Sequence, residues 1–155
     1  MEAARRGDVE SFNALVRLYE TRVYNLCYRM LGDAESAADA EQDTFLSAYR
    51  NLRSFRGGSL RSWLLRIATN TCYDVLRSRK RRAAVSLEAA DDEDDSSPLQ
   101  VADPSETPDD FALRRELAGA IQHGLTALPE DQRVVVILSD IEGLSYEEIA
   151  QVTGA

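Results

Sequence analysis

The sequence predicts an all-α protein: two small helical domains joined by an acidic, flexible linker. Three observations carry this. Apolar residues recur at spacings of three and four along most of the 155 residues, the period of a helix with one buried face. Glycines and prolines stand between those stretches, where they interrupt helices. One stretch, EAADDEDDSSPLQVADPSETPDD, has neither helix nor strand period; it is rich in acid, serine and proline, and its like charges repel. The expected division is 1–85, a linker at 86–109, and 110–155.

Composition narrows the classes. An apolar content of 44% is enough for a core. No apolar run approaches a membrane span, and the N-terminus MEAARRGDVESF lacks the apolar segment of a signal peptide, so a cytoplasmic protein is expected. Cys27 and Cys72 fall on predicted apolar faces and read as buried free thiols. There is no CxxC or His/Cys cluster, and His123 is the only histidine, so neither metal nor cofactor is expected. The net charge of −9 hides a division: residues 1–82 carry +5 and residues 83–155 carry −14. The whole-chain pI would argue against nucleic acid, but this asymmetry argues for an N-terminal domain that binds it.

A first helix is expected over 11–31, with Phe12, Leu15, Val16, Tyr19, Val23, Leu26, Cys27 and Met30 on one face and Gly32 ending it. Arg17, Arg22 and Arg29 fall mainly outside. A second runs over 34–52, with Phe45, Ala48, Tyr49 and Leu52 inward and an acidic, amide-bearing patch of Asp39, Glu41, Gln42 and Asp43 outward. Gly57 and Gly58 then make a turn, and Ser59 is placed to cap the next helix. In that helix Leu60, Trp63, Leu64, Ile67, Ala68, Thr71 and Val75 form the stripe. Arg61, Arg66, Asn70, Asp74, Arg77 and Arg79 face solvent. Arg77, Arg79, Lys80, Arg81 and Arg82 put five charges in six positions. An aromatic before a glycine turn, an amide in the helix and a basic end suit a nucleic-acid surface: cations attract phosphates, a ring stacks on a base, an amide reads a base edge. A core helix with a solvated basic tail fits the same residues.

Beyond the linker, Asp109 or Asp110 can cap a helix lined by Phe111, Leu117, Ile121, Leu125 and Leu128. Pro129 opens another, with Val134, Ile137, Leu138 and Ile141 inward and Gly143 stopping it. Ser145 and Glu148 fit a capping box. Ile149, Ala150 and Val152 follow, with Gly154 at a turn. This last piece looks like the first half of a helix-turn-helix.

Here the residues carry a resemblance. FRGGSLRSWLLRIATNTCYDVLRSRKRR resembles the promoter-melting, −10-reading segment of extracytoplasmic-function sigma factors, subunits of bacterial RNA polymerase, with F-R-G, W-L-x-R-I-A-x-N and D-x-x-R in order. AADAEQDTFLSAYRNL resembles their segment that docks on the clamp helices of the largest polymerase subunit; Asp39, Gln42 and Asp43 match its D-x-x-Q-[ED] pattern, while Ala38 and Ala40 replace a common glutamate and leucine. LPEDQRVVVILSDIEGLSYEEIAQVTG resembles their −35-binding domain, and the chain stops at Ala155, before the helix that enters the major groove. A fragment or shortened version is the expected explanation.

The resemblance implies a region 2 bundle and an incomplete region 4 domain. It implies a pocket for a flipped non-template base at Phe55, Arg56, Gly57, Gly58, Ser59 and Asn70, with phosphates held by Arg61, Arg66, Arg77, Arg79, Lys80, Arg81 and Arg82. Phe55 serves as a ring wall or as a buried support of the turn; Trp63 abuts DNA or, as its spacing favours, sits in the core. The implied partners are core RNA polymerase and promoter DNA. Many relatives also have an anti-sigma partner, which two small domains on a tether would suit. The alternative is a stand-alone helix-turn-helix regulator. An enzyme is not expected, since no nucleophile–base set or phosphate-binding loop is present.

Overall fold

The computed structural model describes residues 9–85 and 105–154; among these, regular structure is helical throughout. Most of the expected linker, 86–104, lies outside the described residues. Helix α1 spans Val9–Leu31 and buries Phe12, Val23, Leu26, Cys27, Met30 and Leu31. At Gly32 the backbone turns left-handed (φ +85°), and Asp33 caps helix α2, Ala34–Arg50, by accepting from the Ser36 amide at 2.7 Å. The reversal is braced from 46 residues away. Arg79 donates to the Leu31 carbonyl (2.7 Å), the Asp33 carboxylate (2.6 Å) and the Ser36 hydroxyl (2.8 Å).

Helix α2 ends earlier than its period suggests. The Asn51 amide side chain bonds the Ser47 carbonyl at 2.8 Å, and Leu52–Ser54 tighten into a 3₁₀ turn that still buries Leu52. Helix α3, Leu60–Val85, begins under a Ser59 cap that accepts from the Ser62 amide at 3.1 Å. Its fully buried residues are Ser62, Leu64, Leu65, Ala68, Thr69, Cys72 and Leu76, while Leu60, Trp63, Ile67, Thr71 and Val75 are half-buried. The buried face is therefore rotated from the expected stripe. The reason is that α3 is covered on two sides, by the α1–α2 pair and by the C-terminal elements.

Helix α4, Pro108–Ala127, is capped by Thr107, which accepts from the Asp110 amide at 3.1 Å; neither Asp109 nor Asp110 is the cap. Pro108 fits the first turn, where its fixed φ is ready-made and its missing N–H costs nothing, so the helix starts earlier. Its expected apolar lining is largely uncovered: Phe111, Leu117 and Ile121 are 45, 59 and 48% exposed, and only Leu125 is buried. Helix α5, Glu130–Val136, passes into a wide π turn, Ile137–Ile141, in which Glu142 N–H reaches back five residues to the Ile137 carbonyl. Helix α6, Tyr146–Thr153, opens on the expected capping box: Ser145 accepts from the Glu148 amide and donates its own N–H to the Glu148 carboxylate, both at 3.2 Å.

The C-terminal elements pack on α1 and α3. Arg133 donates to the Met30 carbonyl at the end of α1 and to Leu125 and Leu128 carbonyls of its own unit, while Gln122 reaches the Arg29 carbonyl at 3.3 Å. Arg29, expected mainly outside, is half-buried, and burial lowers its pKa against the opposing pull of Glu142.

Candidate nucleic-acid and polymerase interface

The elbow between α2 and α3 is built by two left-handed glycines. Gly57 and Gly58 hold φ of +93° and +84°, which side chains rarely adopt, and nothing lies within 4 Å of where a Cβ would stand. They are needed for the turn and leave open space beside it. Before them Phe55 is buried, its ring 5.3 Å from Trp63 and tilted 55°. Phe55 is thus the support of the turn, and half-buried Trp63 is both its packing partner and a surface residue.

This pair floors a groove of about 340 Å³, lined by Ser54, Phe55, Arg56, Gly57, Gly58, Ser59, Ser62, Trp63, Arg66 and Gln151. That volume is at the small end of ligand clefts, roughly 300–1,000 Å³. The exposed guanidinium-bearing residues Arg56 and Arg66 belong to its lining. From Arg66 an exposed stripe continues along α3 through Asn70, Asp74, Arg77 and Arg81, at spacings of four, four, three and four. Asn70 is exposed on this stripe, one turn beyond Arg66, and is not part of the groove wall.

The cations named from sequence do not share one situation. Arg66, Arg81 and Arg82 are exposed; Arg77 is exposed and paired with Asp74. Arg79 is committed to the α1–α2 reversal. Arg61 lies 3.5 Å from Glu148, and Lys80 lies 3.2 Å from Glu130. Position along the chain gave no hint of these three engagements, because each partner is distant in sequence.

The acidic patch of α2 is a second surface. Asp39, Gln42 and Asp43 are exposed, and Gln42 also edges an apolar groove of about 390 Å³ lined by Phe12, Val16, Ala38, Glu41, Phe45, Leu46 and Tyr49. Leu46 and Tyr49 are nearly half exposed. Sequence reasoning missed Leu46, although an aliphatic residue off the inner stripe is itself a signal. Burial, then the charge of Glu20, raises the Glu41 pKa. In the core beneath, Cys27 and Cys72 are buried free thiols; the Cys72 hydrogen bond, then burial, push Cys27 well up, so it stays an unreactive thiol.

Two family profiles match the chain: Sigma-70 region 2 over residues 15–82, and Sigma-70, region 4 over residues 118–155. The RNA polymerase sigma-H factor of Pseudomonas aeruginosa is 38% identical over 98% of this chain and 79% of its own length. The chain belongs to the extracytoplasmic-function sigma factors of the sigma-70 family. The family's SigW of Bacillus subtilis is 34% identical over 98% of this chain and 82% of its own. Among solved structures, the sigma factor RpoE of Bartonella quintana, crystallised with the anti-sigma factor NepR, matches with a TM-score of 0.73 and 26% identity over 95% of this chain and 85% of that one. CnrH, solved with the cytosolic domain of CnrY, shares the fold at a TM-score of 0.68. This sigma factor is therefore a transcription initiation subunit of bacterial RNA polymerase, and the reading as a stand-alone regulator gives way to it. Among the described residues no helix is long and apolar enough to cross a membrane.

Proposed function

We propose that the elbow and the outer stripe of α3 are where this sigma factor opens and reads the −10 element. Opening costs base-pair stacking, and capture of a flipped non-template base offsets that cost. The groove beside Gly57 and Gly58 takes the base; Trp63 supplies a ring face and Asn70, with both donor and acceptor, contacts the next base edge along the stripe. Arg56, Arg66, Arg77, Arg81 and Arg82 hold the strand's phosphates, giving affinity without sequence choice. The α2 surface of Asp39, Gln42 and Asp43, with the apolar groove beside it, docks the clamp helices of core polymerase. The protein performs no chemistry of its own. It is held in check by an anti-sigma factor, as the Bartonella relative is bound by one.

One observation carries this reading: a groove open to solvent, with arginines in its lining, leads directly into an exposed amide-and-arginine stripe. The test is Asn70→Ala in reconstituted holoenzyme. Open-complex formation should fall about five- to thirtyfold, the worth of one good base contact, with core binding unchanged. Equal loss of both would mean misfolding and defeat the assignment.

A further inference from the structure

Asp74 is the one carboxylate of α3, set among seven basic residues. It lies on the outer stripe, one turn beyond Asn70 and one before Arg77, and its side chain is 68% exposed. Its ion-pair partner among the described residues is Arg77, three positions on in the same helix. A pair so exposed adds little to stability. For a surface that gathers phosphates the charge is a handicap, because a carboxylate repels the strand's backbone and weakens the hold of the cations around it. A purely phosphate-holding stripe has no use for it.

Geometry gives the carboxylate a different task. Four helical residues advance by about 6 Å, and Asn70 and Asp74 are neighbours on the helix surface. Nucleotides of a stacked strand are about 3.4 Å apart along its axis, and unstacking lengthens that step. A strand that meets Asn70 with one base therefore brings a second base to Asp74, while Arg66 and Arg77 flank the pair on the same stripe. Chemistry then sets a preference. An ionised carboxylate only accepts hydrogen bonds. Cytosine offers it the N4 amino group, whereas thymine presents the O4 acceptor at the same place, which a carboxylate repels. Arg77 donates to Asp74 and keeps further N–H groups for a phosphate, so the pair can hold backbone and base together.

We propose that Asp74 is a specificity-determining residue for the −10 strand. It takes cytosine in preference to thymine at a position beside the base contacted by Asn70. This rests on the reading of the α3 stripe given above.

The test uses reconstituted holoenzyme carrying the full parent chain, D74N, N70A or E116Q. Each selects from a single-stranded DNA library with a dozen randomised positions, and the bound strands are sequenced. Affinity for the unselected library is measured alongside. The parent should enrich cytosine over thymine about three- to tenfold at one position, the worth of one exposed hydrogen bond to a charged acceptor. That position should lie within two nucleotides of the one that N70A relaxes. Asparagine donates as well as accepts, so D74N should admit thymine and bring the ratio to about one there. The other positions should stay as in the parent, and the unselected library should bind more tightly, because a repulsive charge is gone. E116Q removes the same charge from an exposed position of α4 and should leave the ratio unchanged. An unaltered cytosine preference in D74N overturns the proposal and makes Asp74 only a solvated partner of Arg77; a position relaxed by N70A would then leave the stripe's reading role standing. Loss of the preference in E116Q as well overturns it too, since bulk charge would explain the effect. If no position is enriched by any of the four proteins, the strand-reading role of α3 fails, and this assignment with it.

Discussion

Arg79 and Arg81 stand two residues apart in one basic run and answer to different neighbours. Arg79 makes three hydrogen bonds that hold the α1–α2 reversal; Arg81 points into solvent. Arg79→Ala should lower stability by about 1–2 kcal/mol in urea denaturation, discounted for partial exposure of the Asp33 pair. Arg81→Ala should leave stability within about 0.5 kcal/mol but weaken single-strand binding evenly across sequences and flatten its salt dependence. If both variants lost only DNA affinity, the bracing role would be wrong. Thr69 makes a separate case. It is fully buried and its hydroxyl has no hydrogen-bond partner among the described residues, so Thr69→Val should be neutral or slightly stabilising in the same assay. Sequence conveyed the charge of the basic run and the helical spacing of Thr69. It did not convey which guanidinium was already spent, because the partners of Arg79 lie 43–48 residues away.

A helix period says which residues share a face, not whether anything covers that face. On α3 the expected stripe and the observed one differ because two bodies press on the helix, so burial spreads to Ser62, Leu65, Thr69 and Cys72. On α4 the opposite happens, and Phe111, Leu117 and Ile121 keep their period while remaining exposed. Turn chemistry was more legible, since it is local: Gly32, Gly57, Gly58, Gly143 and Gly154, all expected as breaks, hold positive φ, and the Ser145–Glu148 box closes as expected. The cap of α4 slipped to Thr107 because Pro108 outweighed the acidic residues after it. The outer face of α2 was legible as a patch but not as a groove, which needs Phe12 and Val16 from α1. Charge reversal there, Asp39→Lys with Asp43→Lys, should weaken core-polymerase binding by about tenfold or more. Both residues are exposed, so the helical content and unfolding midpoint should hold. A loss of open complex at unchanged core affinity would move docking elsewhere.

At the scale of the whole molecule, the joint between the two halves contains two carboxylates displaced in opposite directions. Burial raises the Glu142 pKa, and the arginines at 22, 29 and 61 only partly offset it. The Ser145 amide, then the Ser62 hydroxyl, lower that of Glu148. For Glu148 the stability is present above the ordinary glutamate pKa and is lost as pH falls through the lowered one. For Glu142 it runs the other way: the favourable state is protonated, so its contribution is full below the ordinary pKa and disappears as pH rises through the raised one. At neutral pH Glu142 is therefore ionised at a net cost, even counting its arginine neighbours. Glu142→Gln fixes the neutral form. Its urea midpoint should exceed that of the parent chain near pH 7, and the difference should shrink as pH falls towards the ordinary glutamate range, because the parent glutamate takes up its own proton on the way down. A lower midpoint at neutral pH would mean that attraction to Arg22, Arg29 and Arg61 outweighs the burial of the carboxylate, and that the joint is held by that charge cluster rather than strained by it.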